Sequence, residues 1–164
     1  MVWSQTRAEN LQCGGIVSVD QAYKYKQITS SVSTAGVLTE QQLKELGSEE
    51  YKVVICLLPS DSEYAINGER SIVEDQDIKY VYIPVDFAAP TEEDYQKFAA
   101  EVIGLSGKKA ILHCAANYRV TAFYGIYANQ ELGWSKNQVW ELISSIWDIS
   151  EYPVWNDFVA SRIG

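Results

Sequence analysis

The chemistry of this chain is concentrated in one stretch, His113-Cys114-Ala115-Ala116-Asn117-Tyr118-Arg119-Val120-Thr121. Cys114 supplies a thiol, and Arg119 supplies a planar fork of donors matched to two oxygens of a phosphate. A tight loop between a strand end and a helix start turns successive backbone N–H groups toward one centre, which makes a cradle for an anion. Small side chains at Ala115 and Ala116 let the backbone come close to such a guest. Asn117 tolerates the left-handed conformation that the turn needs. Tyr118 is placed at the pocket mouth. The same field acts on the sulfur: helix N-termini and nearby cations bring a thiol pKa down to roughly 3.5–7.5. Cys114 is therefore expected to be a thiolate aimed at the cradled group, with Thr121 placed to hydrogen-bond the sulfur. His113, just before it, reads as a structural residue that fixes the loop. The bland alternative for Cys114 is an inert core cysteine, since cysteine behaves as a small hydrophobe.

An ester leaving group must be protonated as it departs, so a general acid is needed. Asp86, after the run Tyr80-Val81-Tyr82-Ile83-Pro84-Val85, is the candidate. An aspartate after a strand is also ordinary turn chemistry. Asp61 follows a different strand, and Asp94 suits a helix cap.

These residues need elements to hold them. Lys52 to Leu58, Tyr80 to Val85 and Ala110 to His113 are apolar runs rich in β-branched residues, and they read as buried strands. A short strand is expected around 25–28, followed by a turn-forming run from Thr29 to Gly36. Thr39-x-x-Gln42 and Ser135-x-x-Gln138 are capping boxes that start helices. Further helices are expected over 69–75, from Thr91 to about Val102, over 121–132 with Gly133 as the stop, and over 155–162. Trp140 and Trp147 are expected on one face of the helix that Ser135 opens. Strands alternating with helices predict a single compact α/β domain over 25–164, a mostly parallel central sheet flanked by helices, after an N-terminal arm over 1–24. Ligands of such sheets sit beyond the carboxyl ends of the strands, where Cys114 lies.

The bulk numbers narrow the partners. The chain has 164 residues, 47% hydrophobic and 21% charged, with a net charge of −9. Such a surface repels nucleic acid and anionic membranes, so an anion site must be built locally. The three cysteines Cys13, Cys56 and Cys114 form no pair at metal-ligand spacing, and His113 is the only histidine. Zinc chemistry is expected to be absent on that count, and no cofactor is called for. Cys56 reads as core and Cys13 as surface, with Cys56 a trap for an oxidised Cys114 if the two strand ends adjoin. The N-terminus lacks the charged-then-apolar pattern of a secretory signal, which predicts a cytoplasmic chain. A periplasmic one with its leader removed would look the same.

The His113-Cys114 pair followed by Arg119 resembles the His-Cys-x5-Arg signature of the protein tyrosine and dual-specificity phosphatase superfamily. Thr34-Ala35-Gly36-Val37-Leu38-Thr39, Val53 to Leu58, Glu69 and Tyr80 to Asp86 are similar to a bacterial subgroup of phosphatase-like proteins long filed as a domain of unknown function. The resemblance spans residues 25 to about 150. It implies the compact phosphatase α/β fold, a phosphorylated substrate and a cysteinyl-phosphate intermediate. Cys114 then takes the nucleophile's place, Arg119 the phosphate-binding arginine's and Asp86 the general acid's. One departure stands out: the spacing here is Cys-x4-Arg, one residue short, and Asn117 stands nearest the usual glycine. Two alternatives stay open, a phosphate-binding module that does not turn over and a rhodanese-like sulfurtransferase carrying a persulfide on the same cysteine.

Overall fold

The computed structural model describes residues 17–164. Cys13 and most of the expected arm lie outside the described residues. Within residues 17–24, Val19 and Ala22, in and beside a 3-10 turn over Val19–Gln21, are buried in the domain. Val19 N–H donates to Glu49, and Gln42 Nε2 donates to the Ser18 carbonyl oxygen.

Five strands form one sheet: β1 (Lys26–Gln27), β2 (Val32–Ala35), β3 (Val53–Cys56), β4 (Lys79–Tyr82) and β5 (Ala110–His113), in the order β1-β2-β5-β3-β4. All neighbours are parallel except β1 with β2. The helices are α1 (Glu40–Glu45), α2 (Glu69–Glu74), α3 (Glu92–Ile103), α4 (Tyr118–Leu132), α5 (Lys136–Ser144) and α6 (Pro153–Ala160). The α/β domain expected from the alternation of elements is the one observed.

β2 is a correction. The run Thr29 to Gly36 was expected to be a turn, but only its start is one: Thr29 Oγ1 accepts from Ser31 and Val32 N–H, and Val32–Ala35 then forms a fully buried strand beside β5. Its polar residues hid it. They are tolerated because each has a partner: Ser33 Oγ bonds the Tyr25 hydroxyl at 2.7 Å, and Thr34 Oγ1 accepts from Asn117. A buried hydroxyl with a partner escapes the desolvation cost that would otherwise exclude it.

Both capping boxes form, at Thr39 with Gln42 and at Ser135 with Gln138. α4 ends at Gly133 in the left-handed conformation, as Gly at a helix C-terminus should. Trp147 is a second correction. It lies beyond the end of α5, although it still lines one hollow with Trp140, and it stacks on Tyr118 at 4.4 Å between ring centroids.

Strand side chains alternate between faces, and the core divides accordingly. Val53, Ile55, Ala110 and Leu112 join α3, α4, α5 and α6 on one face, while Val54, Ile111 and Ala35 join α1 and α2 on the other. Burying both faces explains why β2, β3 and β5 carry no exposed residue.

Candidate active site

β5 ends at His113, and Cys114 is the first residue beyond it, fully buried. The chain then turns within three residues. Asn117 takes φ 67, in the left-handed region, and α4 begins at Tyr118 rather than at the expected Thr121. Tyr118 and Arg119 therefore belong to the first turn of the helix, and the loop proper is Ala115–Asn117. The left-handed Asn117 turns the chain from the loop into α4.

The first N–H groups of a helix have no intrahelical acceptor. Among the described residues, the amides of Ala115, Ala116, Tyr118, Arg119 and Val120 form no hydrogen bond within the protein. Beside them lies a pocket of about 180 Å³ lined by Phe87, Cys114, Ala115, Ala116, Tyr118 and Arg119. Cys114 and Arg119 are thus brought together, as expected, and so are the two small residues and Tyr118.

Arg119 is buried, at 8% exposure, and Nη1 donates to the Val85 carbonyl oxygen at 2.8 Å. The guanidinium lies 5.4 Å from the centroid of the Phe87 ring. Its Nε is buried with no partner among the described residues. A buried donor without an acceptor is costly, on the order of 1–3 kcal/mol, and an anion in the adjoining pocket is the kind of group that satisfies it.

Three of the loop's side chains, Asn117, Thr121 and His113, do not line the pocket. Asn117 turns its amide away from the pocket, donating to the Lys24 carbonyl oxygen at 2.8 Å and to Thr34 Oγ1 at 2.9 Å. Thr121 Oγ1 donates to the Asn117 carbonyl oxygen at 2.8 Å and accepts from Trp147 Nε1 at 3.1 Å, so its proton goes to the backbone and not to the Cys114 sulfur. Both side chains brace the loop. His113 also faces away: consecutive residues leave a strand on opposite sides, so His113 serves the other sheet face.

Asp86 is exposed and follows the segment that Arg119 holds. Its Oδ1 accepts from Ala88 N–H at 2.9 Å, which is the turn chemistry that an aspartate after a strand also predicts. The next residue, Phe87, lines the pocket, and Asp86 does not.

On the opposite face, His113 Nε2 donates to Glu69 Oε2 at 2.6 Å, and the Tyr80 hydroxyl donates to the same oxygen at 3.1 Å. Burial alone would raise the Glu69 carboxyl. The charge of His113 and the hydrogen bonds from His113 and Tyr80 outweigh it and hold the carboxyl below its usual range. For His113, burial pushes downward, yet the facing Cys56 and Glu69 hold the imidazole well above its usual range. His113 thus fixes the end of β5, as expected, through a partner that had no assigned role. The Cys56 thiol belongs to this face too, lining a second pocket of about 300 Å³ with Glu69, Arg70, Tyr80 and Tyr82. It does not line the Cys114 pocket, as a trap for that sulfur would.

Sequence reasoning also missed Gly36 and Phe87. Gly36 forms an isolated bridge with Ala116, and a Cβ at Gly36 would meet the Ala115 carbonyl oxygen at 2.6 Å. A glycine closing a buried strand at the level of the cysteine was the signal available.

No family model and no curated protein matches the sequence. Solved structures do. The DUF442 "putative phosphatase" of Shewanella putrefaciens CN-32 is 30% identical, with 100% of this chain and 99% of that one covered and a TM-score of 0.78. TpbA of P. aeruginosa is 12% identical over 85% of this chain and 84% of its own, with a TM-score of 0.69. The core catalytic domain of the PP-IP phosphatase SIW14 from S. cerevisiae is 12% identical over 89% and 87%, with a TM-score of 0.70. The last two likenesses concern the fold alone. With 30% identity to the Shewanella structure over nearly the full length of both chains, the chain belongs to the DUF442 family.

Proposed function

We propose that the chain is a phosphomonoester hydrolase that works through Cys114 without a cofactor. The observation that carries this reading is a pocket with the buried Cys114 in its lining, helix-start amides beside it that are unpaired among the described residues, and a buried arginine with an idle N–H. A dianionic phosphoryl group matches all three. The Cys114 thiolate attacks phosphorus, the S–P bond forms and the ester P–O bond breaks. Arg119 and the amides hold the three non-bridging oxygens while charge builds on them. Asp86 leaves the Ala88 amide and protonates the departing oxygen. A water molecule then gives a proton to the Asp86 carboxylate and attacks phosphorus. The S–P bond breaks, releasing inorganic phosphate and returning the thiolate.

Two likenesses support a phosphorylated substrate. A cysteine-to-serine form of TpbA was crystallised with pTyr, at 12% identity to this chain and a TM-score of 0.68, and the SIW14 domain was crystallised with citrate, another oxyanion. The phosphatase relatives also weigh against sulfur transfer as the use of this cysteine.

The test is hydrolysis of a generic aryl phosphate by the purified chain. Wild type should turn over and Cys114→Ser should fall to background; equal rates would assign the activity to a contaminant and end the proposal. If neither form hydrolyses any ester while phosphate or vanadate still shields Cys114 from alkylation, the short loop binds oxyanions without chemistry.

A further inference from the structure

We infer that Cys56, Glu69 and His113 form a binding site for one divalent transition-metal ion such as Zn²⁺, on the sheet face opposite the Cys114 pocket. Strand pairing builds it. Cys56 and His113 are register partners on neighbouring parallel strands, at the carboxyl ends of β3 and β5. Same-register residues of adjacent strands project to the same side, so sulfur and imidazole emerge together. Glu69, at the start of α2, reaches them from the helix layer. The three ligand atoms, one sulfur, one nitrogen and one oxygen, lie within 4.8 Å of one another, and all three residues are buried.

This donor set is that of a zinc site: thiolate, imidazole and carboxylate bind Zn²⁺ at ~2.0–2.3 Å in tetrahedral array. Tetrahedral ligand atoms are then ~3.3–3.7 Å apart. The 2.6 Å between His113 Nε2 and Glu69 Oε2 is a separation bridged by a proton, and it opens by roughly 1 Å when a metal takes the proton's place. Three protein ligands leave the fourth position open. Cys56 and Glu69 both line the second pocket, which gives that position a way in for the ion and for a water molecule or a small anionic ligand. Tyr80 supplies the outer contact that orients a ligating carboxylate, its hydroxyl already donating to Glu69 Oε2.

Zinc ligands close together along a chain show as short-range spacings, and these three residues have none. Here Cys56 and His113 come from separate strands that only the sheet brings side by side.

The site is independent of the proposed hydrolysis, whose readout is Cys114. The test is metal uptake by the full-length chain, reduced and stripped with a chelator, then titrated with Zn²⁺ or Co²⁺ alone. Wild type should take up one equivalent, and the Co²⁺ form should show a near-ultraviolet sulfur-to-cobalt charge-transfer band. Cys56→Ser should lose the band while Cys114→Ser keeps it. Glu69→Gln, close to isosteric, should lose tight binding while keeping its circular dichroism, which covers the case of a misfolded Cys56 variant. Tyr80→Phe should weaken Zn²⁺ binding about 10–100-fold. No uptake by folded wild type overturns the inference. So does a band that survives Cys56→Ser or disappears with Cys114→Ser or Cys13→Ser.

Discussion

Arg119 Nη1 donates to the carbonyl oxygen of Val85 at 2.8 Å, so the arginine that lines the Cys114 pocket also fastens the segment that carries Asp86. In the proposed hydrolysis one guanidinium does two jobs, and Arg119→Lys separates them. A lysine keeps the charge but has no planar fork, and cannot hold Val85 and two phosphate oxygens together. Loss of a preorganised donor to developing charge typically costs about 10²–10³-fold in kcat. Arg119→Lys should fall by that order in steady-state hydrolysis of an aryl phosphate, with Arg119→Ala lower still. A lysine variant within threefold of wild type would mean that charge alone is enough.

Asp86→Asn isolates proton transfer. Asparagine Oδ1 still accepts from Ala88 N–H, so the turn that the carboxylate now makes is preserved. What disappears is the acidic proton, and general acids contribute about 10²–10⁴-fold. The loss should be large for an alkyl phosphate, whose leaving oxygen is strongly basic, and small for a nitrophenyl phosphate, whose phenoxide departs unaided. Rates measured across a leaving-group series check this. An equal loss for both esters would give Asp86 a structural role only.

Asn117 is predicted to matter for shape rather than for contact with substrate. It combines φ 67 with two donated hydrogen bonds, to Lys24 and Thr34. Asn117→Gly keeps the left-handed conformation at little cost and loses the bonds, at ~0.5–1.5 kcal/mol each. Asn117→Ala loses the bonds and adds the left-handed penalty of ~1–2 kcal/mol. Denaturant unfolding should order the stabilities wild type, Gly variant, Ala variant. If alanine and glycine are equal, backbone strain is not what Asn117 relieves.

How far the sequence carried the site follows from the range of the interactions involved. Cys114 and Arg119 were legible because one loop holds both, and local spacing is what a sequence displays. The capping boxes at Thr39 and Ser135 were legible for the same reason, each being closed within three residues. β2 was missed because Ser33 and Thr34 look like turn residues until Tyr25 and Asn117 are seen to satisfy them. Thr121 was misplaced because its partner Trp147 arrives from beyond α5, 26 residues on. Glu69 had no visible role because its partner His113 lies 44 residues away.

Gly36 gives the last prediction, and it concerns the floor beneath the cysteine loop. Its N–H donates to the Tyr23 carbonyl oxygen at 2.7 Å, and the neighbouring Val37 N–H donates to Ala115 at 3.0 Å. A Cβ here would meet the Ala115 carbonyl oxygen at 2.6 Å, the Tyr23 ring at 2.8 Å and Ala116 Cα at 3.1 Å. Tyr23 is more than half exposed and can swing aside, but the two loop backbone atoms cannot move without shifting Cys114 and the amides beside it. Overpacking of this kind costs ~1–3 kcal/mol. Gly36→Ala should therefore lower the unfolding free energy by about that amount and depress kcat more than KM, because the displaced atoms carry the nucleophile. Gly133→Ala is the control: unlike Gly36 that residue takes a left-handed φ of 77°, so alanine there costs backbone strain, but it has open space around its Cβ position and lies at the far end of α4. It should lose stability with hydrolysis unchanged, and equal kcat losses in the two variants would show that Gly36 does not set the position of the loop.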